Sequence, residues 1–130
     1  MNCYVADTHT LFWYLTASPR LGLQAKAALD EGARGEATIY VPAIVLAELY
    51  YLNEKLDRPF DLAAEFERLR RSSQFVFVPF APEDVLDFDA TATVPEMHDR
   101  IIVGVARRLN AACLSTDLAI TASKLVPVIW

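Results

Sequence analysis

The hydrophobic pattern of this chain switches repeatedly between short apolar runs and segments in which apolar residues recur every three or four positions. Residues 2–6 are short and apolar, as expected of a strand buried on both faces. Thr8 to Ala17 then reads as a helix with Leu11, Phe12 and Leu15 on one side. Ser18-Pro19 predicts a stop and restart, because Pro suits the first turn of a new helix. That helix continues over Gln24 to Glu31 and is closed by Gly32 and Gly35. Thr38 to Val41 is a β-branched and aromatic strand ended by Pro42. Ala43 to Leu56 is the clearest helix, with Val45, Leu49, Leu52 and Leu56 on one stripe, and Arg58-Pro59 breaks it. A further helix runs from Asp61 to Arg71.

The second half repeats the alternation. Gln74 to Val78 is a strand, Pro82 to Ala90 a short helix, and Thr91 to His98 a loop. Arg100 to Leu109 is a helix with Ile101, Ile102, Val105 and Leu109 inward. Ala112 to Ser115 is a fourth strand, followed by a helical turn through Ser123. Val126 to Trp130 is a last strand, which Pro127 assigns to a sheet edge. Strands alternating with helices predict an α/β protein: three layers, α/β/α, around a central, mostly parallel sheet. With 130 residues and no repeats or linkers, residues 1–130 form a single domain.

Composition adds two points. The hydrophobic fraction of 54% exceeds the usual ~45–50%, so part of the apolar surface is expected to cover a subunit interface. No apolar run reaches the roughly 18 residues of a membrane span, and the first residues lack the pattern of a signal peptide. Cys3 and Cys113 fall in apolar runs and read as reduced, buried thiols, so a cytoplasmic location and no membrane partner are expected.

Four acids stand where packing does not require them. Asp7 follows the first strand, Asp117 follows the fourth, Asp99 precedes the Arg100 helix, and Glu48 lies within the Ala43–Leu56 helix. In a parallel sheet the carboxyl ends of the strands share one edge, so acids distant in sequence can converge there. Asp7, Asp99 and Asp117 are equally good as helix N-caps, and one carboxylate can serve both purposes. Glu48 discriminates, because its spacing from Val45 and Leu52 puts it on their apolar stripe, where an unpaired carboxylate is costly. A salt bridge to Arg is the alternative there. Converging carboxylates repel unless a hard cation lies between them, which predicts Mg²⁺ or Mn²⁺ and phosphodiester chemistry.

A net charge of −5 excludes broad coating of nucleic acid but not such a site. Without the four acids, 13 Asp and Glu face 12 Lys and Arg. The weaker candidates are Ser115 and Thr116, whose hydroxyls could orient Asp117 or cap its turn, and Arg100, which could meet phosphate or form a surface ion pair. His9 and His98 are expected to make local hydrogen bonds, since two His and two Cys here have no zinc spacing. Four glycines and no Gly-rich loop exclude nucleotide fingerprints. The acids also lack the pairs that a phosphoacceptor receiver or a haloacid-dehalogenase-like phosphatase requires.

Five segments together resemble a PIN-domain ribonuclease, more narrowly a VapC-type toxin of a type II toxin–antitoxin pair. They are Val5 to Leu11, Val41 to Glu48, Pro95 to Ile102, Leu114 to Asp117 and Val126 to Trp130. The resemblance spans essentially the whole chain. It implies that Asp7, Glu48, Asp99 and Asp117 are the catalytic acids, that Asp7, Asp99 and Asp117 hold metal, and that Ser115 supports them. Glu96 stands where many members carry Asp, and Glu48 could either bind metal or orient water. The resemblance further implies a Mg²⁺- or Mn²⁺-dependent endoribonuclease acting on RNA, a homodimer, and a cognate antitoxin that blocks the site. The expected dimer interface includes parts of Phe12 to Leu15 or Tyr50 to Leu56. A PIN nuclease of RNA processing or decay, and a catalytically silent PIN-like binding module, are the alternatives.

Overall fold

The computed structural model describes residues 1–130. Five strands form one sheet in the order β3-β2-β1-β4-β5: β1 is Asn2–Ala6, β2 Ala37–Pro42, β3 Phe75–Val78, β4 Ala112–Leu114 and β5 Val128–Ile129. Every pairing is parallel, so the mostly parallel sheet expected from the sequence is wholly so. Helices α1 (Thr8–Leu15), α2 (Leu23–Ala33), α3 (Ala43–Lys55), α4 (Leu62–Arg71), α5 (Pro82–Leu86), α6 (Met97–Arg108) and α7 (Leu118–Ser123) flank it in an α/β/α arrangement. Val5, Ala6, Ile39, Val41, Cys113 and Leu114 are fully buried at its centre, each such Val, Ile or Leu contributing about 2 kcal/mol by burial.

At four boundaries the departure from the pattern-based expectation has a clear local reason. The α2 helix starts at Leu23, not near Pro19, because residues 16–22 form turns in which the Ser18 hydroxyl accepts from Arg20 N–H. Gly32 lies inside α2: a Cβ there would fall 2.5 Å from Ile39 Cγ1, so the glycine permits close packing on β2. Gly35, at φ +78°, ends the helix, with Glu36 N–H donating to the Glu31 carbonyl and Gly35 N–H to that of Gly32. The α6 helix begins at Met97, three residues before Arg100, because Glu96 caps it by accepting from Asp99 N–H at 2.9 Å. Asp99 is therefore a first-turn residue and not the cap. The last strand shrinks to Val128–Ile129, at the sheet edge that Pro127 implies.

Candidate active site

The two central strands, β1 and β4, end side by side and deliver Asp7 and Asp117 to the same edge of the sheet. Asp7 N–H continues the ladder to the Leu114 carbonyl at 3.1 Å. The Asp7 side chain then caps α1: Oδ1 accepts from Thr8 N–H at 2.7 Å and Oδ2 accepts from the Ser115 hydroxyl at 2.7 Å. Ser115 Oγ also accepts from Asp117 N–H at 3.0 Å, so one buried hydroxyl ties both acids together. Asp117 caps α7 through Oδ1, which accepts from Ala119 and Ile120 N–H. Cap and cleft positions thus coincide at Asp7 and Asp117.

Glu48 reaches the same place from α3. Its Oε1 accepts from the Thr8 hydroxyl at 2.7 Å, and Oε2 lies 3.4 Å from His98 Nδ1. The side chain retains 32% exposure, so Glu48 is not interred on the stripe with Val45 and Leu49, as its spacing suggested. It stands at the rim, on the margin of that stripe, where no Arg pairs with it and His98 is the basic group beside it. Leu56, also expected inward, is 50% exposed beyond the helix end.

Asp99 completes the set from the first turn of α6. Asp7, Glu48, Glu96, Asp99 and Asp117 line one cleft of ≈ 340 Å³ with Thr8, His9, Leu52 and His98. No three of its His, Asp and Glu side chains are drawn close enough to ligate a single ion directly. The electrostatics nevertheless call for positive charge. Burial, then the neighbouring carboxylates of Asp117, Asp7, Glu96 and Glu48, push the Asp99 carboxyl up to about 7. Burial also raises that of Asp7, against the lowering effect of the Ser115 and Thr8 hydrogen bonds, while Glu48 and Asp117 add to the rise. The donor set consists of hard oxygens, and no Lys or Arg lines the cleft, so the residues fit Mg²⁺ or Mn²⁺.

The remaining candidates separate. Glu96 caps α6 and lies 3.4 Å from His98 Nδ1, at the cleft wall. Thr116 is exposed and lines the adjoining groove instead, because the chain turns outward between Ser115 and the α7 cap. Arg100 is not a cleft residue: its guanidinium donates to the carbonyls of Val94, at 2.6 Å, and Ala92, fixing the loop before α6. These carbonyls, and not a surface ion pair, take its donors. Sequence reasoning passed over Thr8, whose hydroxyl holds Glu48, and gave His98 only a local role, whereas it spans Glu48 and Glu96. The position of Thr8 just after a strand-end Asp was the available signal. That of His98, between Glu96 and Asp99 in sequence, was another.

No curated protein matches this chain in sequence. Among solved structures it is similar to VapBC2 from Rickettsia felis, crystallised with a DNA fragment from the promoter (TM-score 0.72, 17% identity, 97% of this chain and 96% of that one). It is also similar to VapC20 from Mycobacterium tuberculosis, described as a Sarcin-Ricin loop cleaving toxin (0.71, 16%, 98% and 99%). A toxin–antitoxin complex from Klebsiella pneumoniae gives 0.65 at 17% identity, over 95% and 94%. At such identities the likeness establishes the fold. The PIN domain family model matches residues 4–122, from the middle of β1 through most of α7 and across all four of the converging acids, and the chain belongs to the PIN domain family.

Proposed function

We propose that this protein is a metal-dependent endoribonuclease and the toxin of a toxin–antitoxin pair. The observation that carries the enzymatic reading is the cleft itself: carboxylates from four separate elements face one another with no Lys or Arg among them. Asp7, Asp99 and Asp117 would hold Mg²⁺ or Mn²⁺, which when bound supplies charge neutralisation and an activated water for phosphodiester hydrolysis. Ser115 fixes the orientation of Asp7 and the backbone of Asp117. Thr8 fixes Glu48, whose second oxygen faces the cleft beside His98 and is suited to accept a proton or orient water. No step requires a protein nucleophile.

The toxin reading is supported by the named fold neighbours, one of which is a toxin–antitoxin complex and another a toxin. A cleft of unpaired carboxylates is also a natural receptor for a basic side chain, which gives an antitoxin a means of inhibition. A homodimer and a cytoplasmic location belong to the same proposal. No helix is long and apolar enough to cross a membrane. Tyr50 and Tyr51 are exposed and available to a partner copy, whereas Phe12 is buried and Trp13, Tyr14 and Leu15 pack against the core, which supports the Tyr50–Tyr51 face of α3 over α1 as the interface.

Cleavage of a mixed RNA pool with Mn²⁺ or Mg²⁺ tests the enzymatic reading. Asp7→Asn and Asp99→Asn are each expected to lose more than about a hundredfold, beyond the 10–100-fold typical of a group that merely supports a ligand. Full activity in both variants contradicts the assignment. Expression of the chain alone should arrest bacterial growth, and co-expression of the adjacent antitoxin gene should restore it. Unchanged growth with soluble wild-type protein removes the toxin label and leaves the nuclease label standing.

A further inference from the structure

The largest cavity of the molecule is not the acidic cleft but a groove of ≈ 690 Å³ that adjoins it. His9 and Leu52 line both, and Thr116 on the groove wall precedes Asp117 of the cleft. The floor is apolar, from Phe12, Leu52 and Leu56. Its cations are Arg20, from the turn between α1 and α2, and Lys55, from the last turn of α3. Both are exposed, and neither forms a salt bridge, although five other basic residues of the chain pair with nearby acids. No Asp or Glu lines the groove, in a chain that carries 17 of them.

We propose that this groove binds the RNA strand flanking the scissile phosphate, with Arg20 and Lys55 taking backbone phosphates and Trp13 taking a base. The inference rests on the nuclease reading above and specifies how its substrate is held. A cleft of carboxylates repels a polyanion, so a strand that must enter it needs cations immediately outside, and these two are in place. Trp13 is half-buried in the groove wall, with His9 tilted against it at 5.5 Å and Trp130 meeting it edge-on at 5.6 Å. Neither neighbour stacks flat on the indole, and bases stack on such rings irrespective of sequence. Two cations without acid partners and no carboxylate in the lining favour an anionic strand as occupant over a basic protein segment.

The test is fluorescence anisotropy of a short labelled single-stranded RNA of mixed sequence, titrated with full-length Asp7→Asn protein to prevent cleavage. Adding Arg20→Ala and Lys55→Ala is expected to weaken binding at least tenfold and to lower the slope of log affinity against log salt by about 1.4, roughly 0.7 for each lost phosphate contact. Trp13→Leu should cost about tenfold with the slope unchanged, and Trp13→Phe should recover most of it. Arg71→Ala with Arg107→Ala, both exposed and outside the groove, is the charge-matched control and should leave affinity within about twofold. Equal loss in control and groove variants overturns the proposal, as does unchanged binding by the groove variants. Groove variants that bind RNA normally but escape inhibition by the adjacent gene's protein also overturn it, and assign the groove to a protein partner. Failure of wild-type protein to cleave any RNA, by contrast, overturns the nuclease reading itself.

Discussion

Two clusters of carboxylates in this molecule are built in opposite ways. At the α5–α6 contact, Asp84 has only 1% of its side chain exposed, yet Arg108 reaches it at 2.6 Å and also bonds Asp87, while Asp84 Oδ2 accepts from Ala81 N–H at 2.7 Å. There a single Arg bridges the two acids, so each carboxylate has a basic partner. At the sheet edge, Asp7, Glu48 and Asp117 receive hydroxyl or backbone donors, the Asp99 carboxylate receives none, and no Lys or Arg lines the cleft they share. The chain supplies an arginine where acids hold helices together and withholds one where acids surround a cleft. The difference supports the proposed role of the second cluster as a cation site, and it makes opposite predictions for the two sets of side chains.

The largest stability effect belongs to the paired cluster. Arg108→Ala leaves buried Asp84 without its partner and should destabilise the fold by about 3 kcal/mol, read from the urea midpoint at constant slope. RNA cleavage under folding conditions should remain near wild type. The unpaired cluster should respond in reverse: Asp99→Asn removes a repelled carboxylate, so its melting temperature in EDTA should equal or exceed that of wild type. A lower one would place Asp99 among the structural acids.

The same comparison has a pH signature. The Asp99 carboxyl is raised from its ordinary value to about 7 in the folded state, so folded protein binds more protons than unfolded protein between roughly pH 4 and 7. Its contribution to stability is complete below that window and is lost as pH rises through 7. In EDTA, wild type should therefore fall behind Asp99→Asn progressively from pH 5 to pH 8, and a constant difference across that range would contradict the shift. A smaller effect is expected at Ser115. Ser115→Ala removes the hydroxyl that joins Asp7 to Asp117, which should lower metal-dependent cleavage 10–100-fold and cost about 1 kcal/mol of stability.

The architecture and the identity of the four acids were legible because both follow from period and position. Apolar runs alternating with helical stripes define a parallel sheet, and an Asp after a central strand must stand at its carboxyl edge. The less legible features depend on side-chain direction. Glu96 displaced Asp99 from the cap because three residues, one helical turn, separate them, and either could occupy that position. Glu48 shares the spacing of a buried stripe, but a helix stripe is wide and its margin opens on the cleft. Arg100 was adjacent in sequence to a site acid yet points to loop carbonyls, since neighbours on a helix diverge by about 100°. The Arg108–Asp84 pair joins residues 24 apart, and nothing in their local patterns announces it.

Calorimetric titration of Mn²⁺ into the protein near neutral pH is the most direct test of the claim that the unpaired acids await a cation. Wild type should bind saturably with release of protons, because Asp99 is partly protonated at that pH. Arg108→Ala should bind as wild type does, and Asp99→Asn should lose most of the affinity. Absence of saturable binding by wild type, or identical isotherms for wild type and Asp99→Asn, would contradict the account.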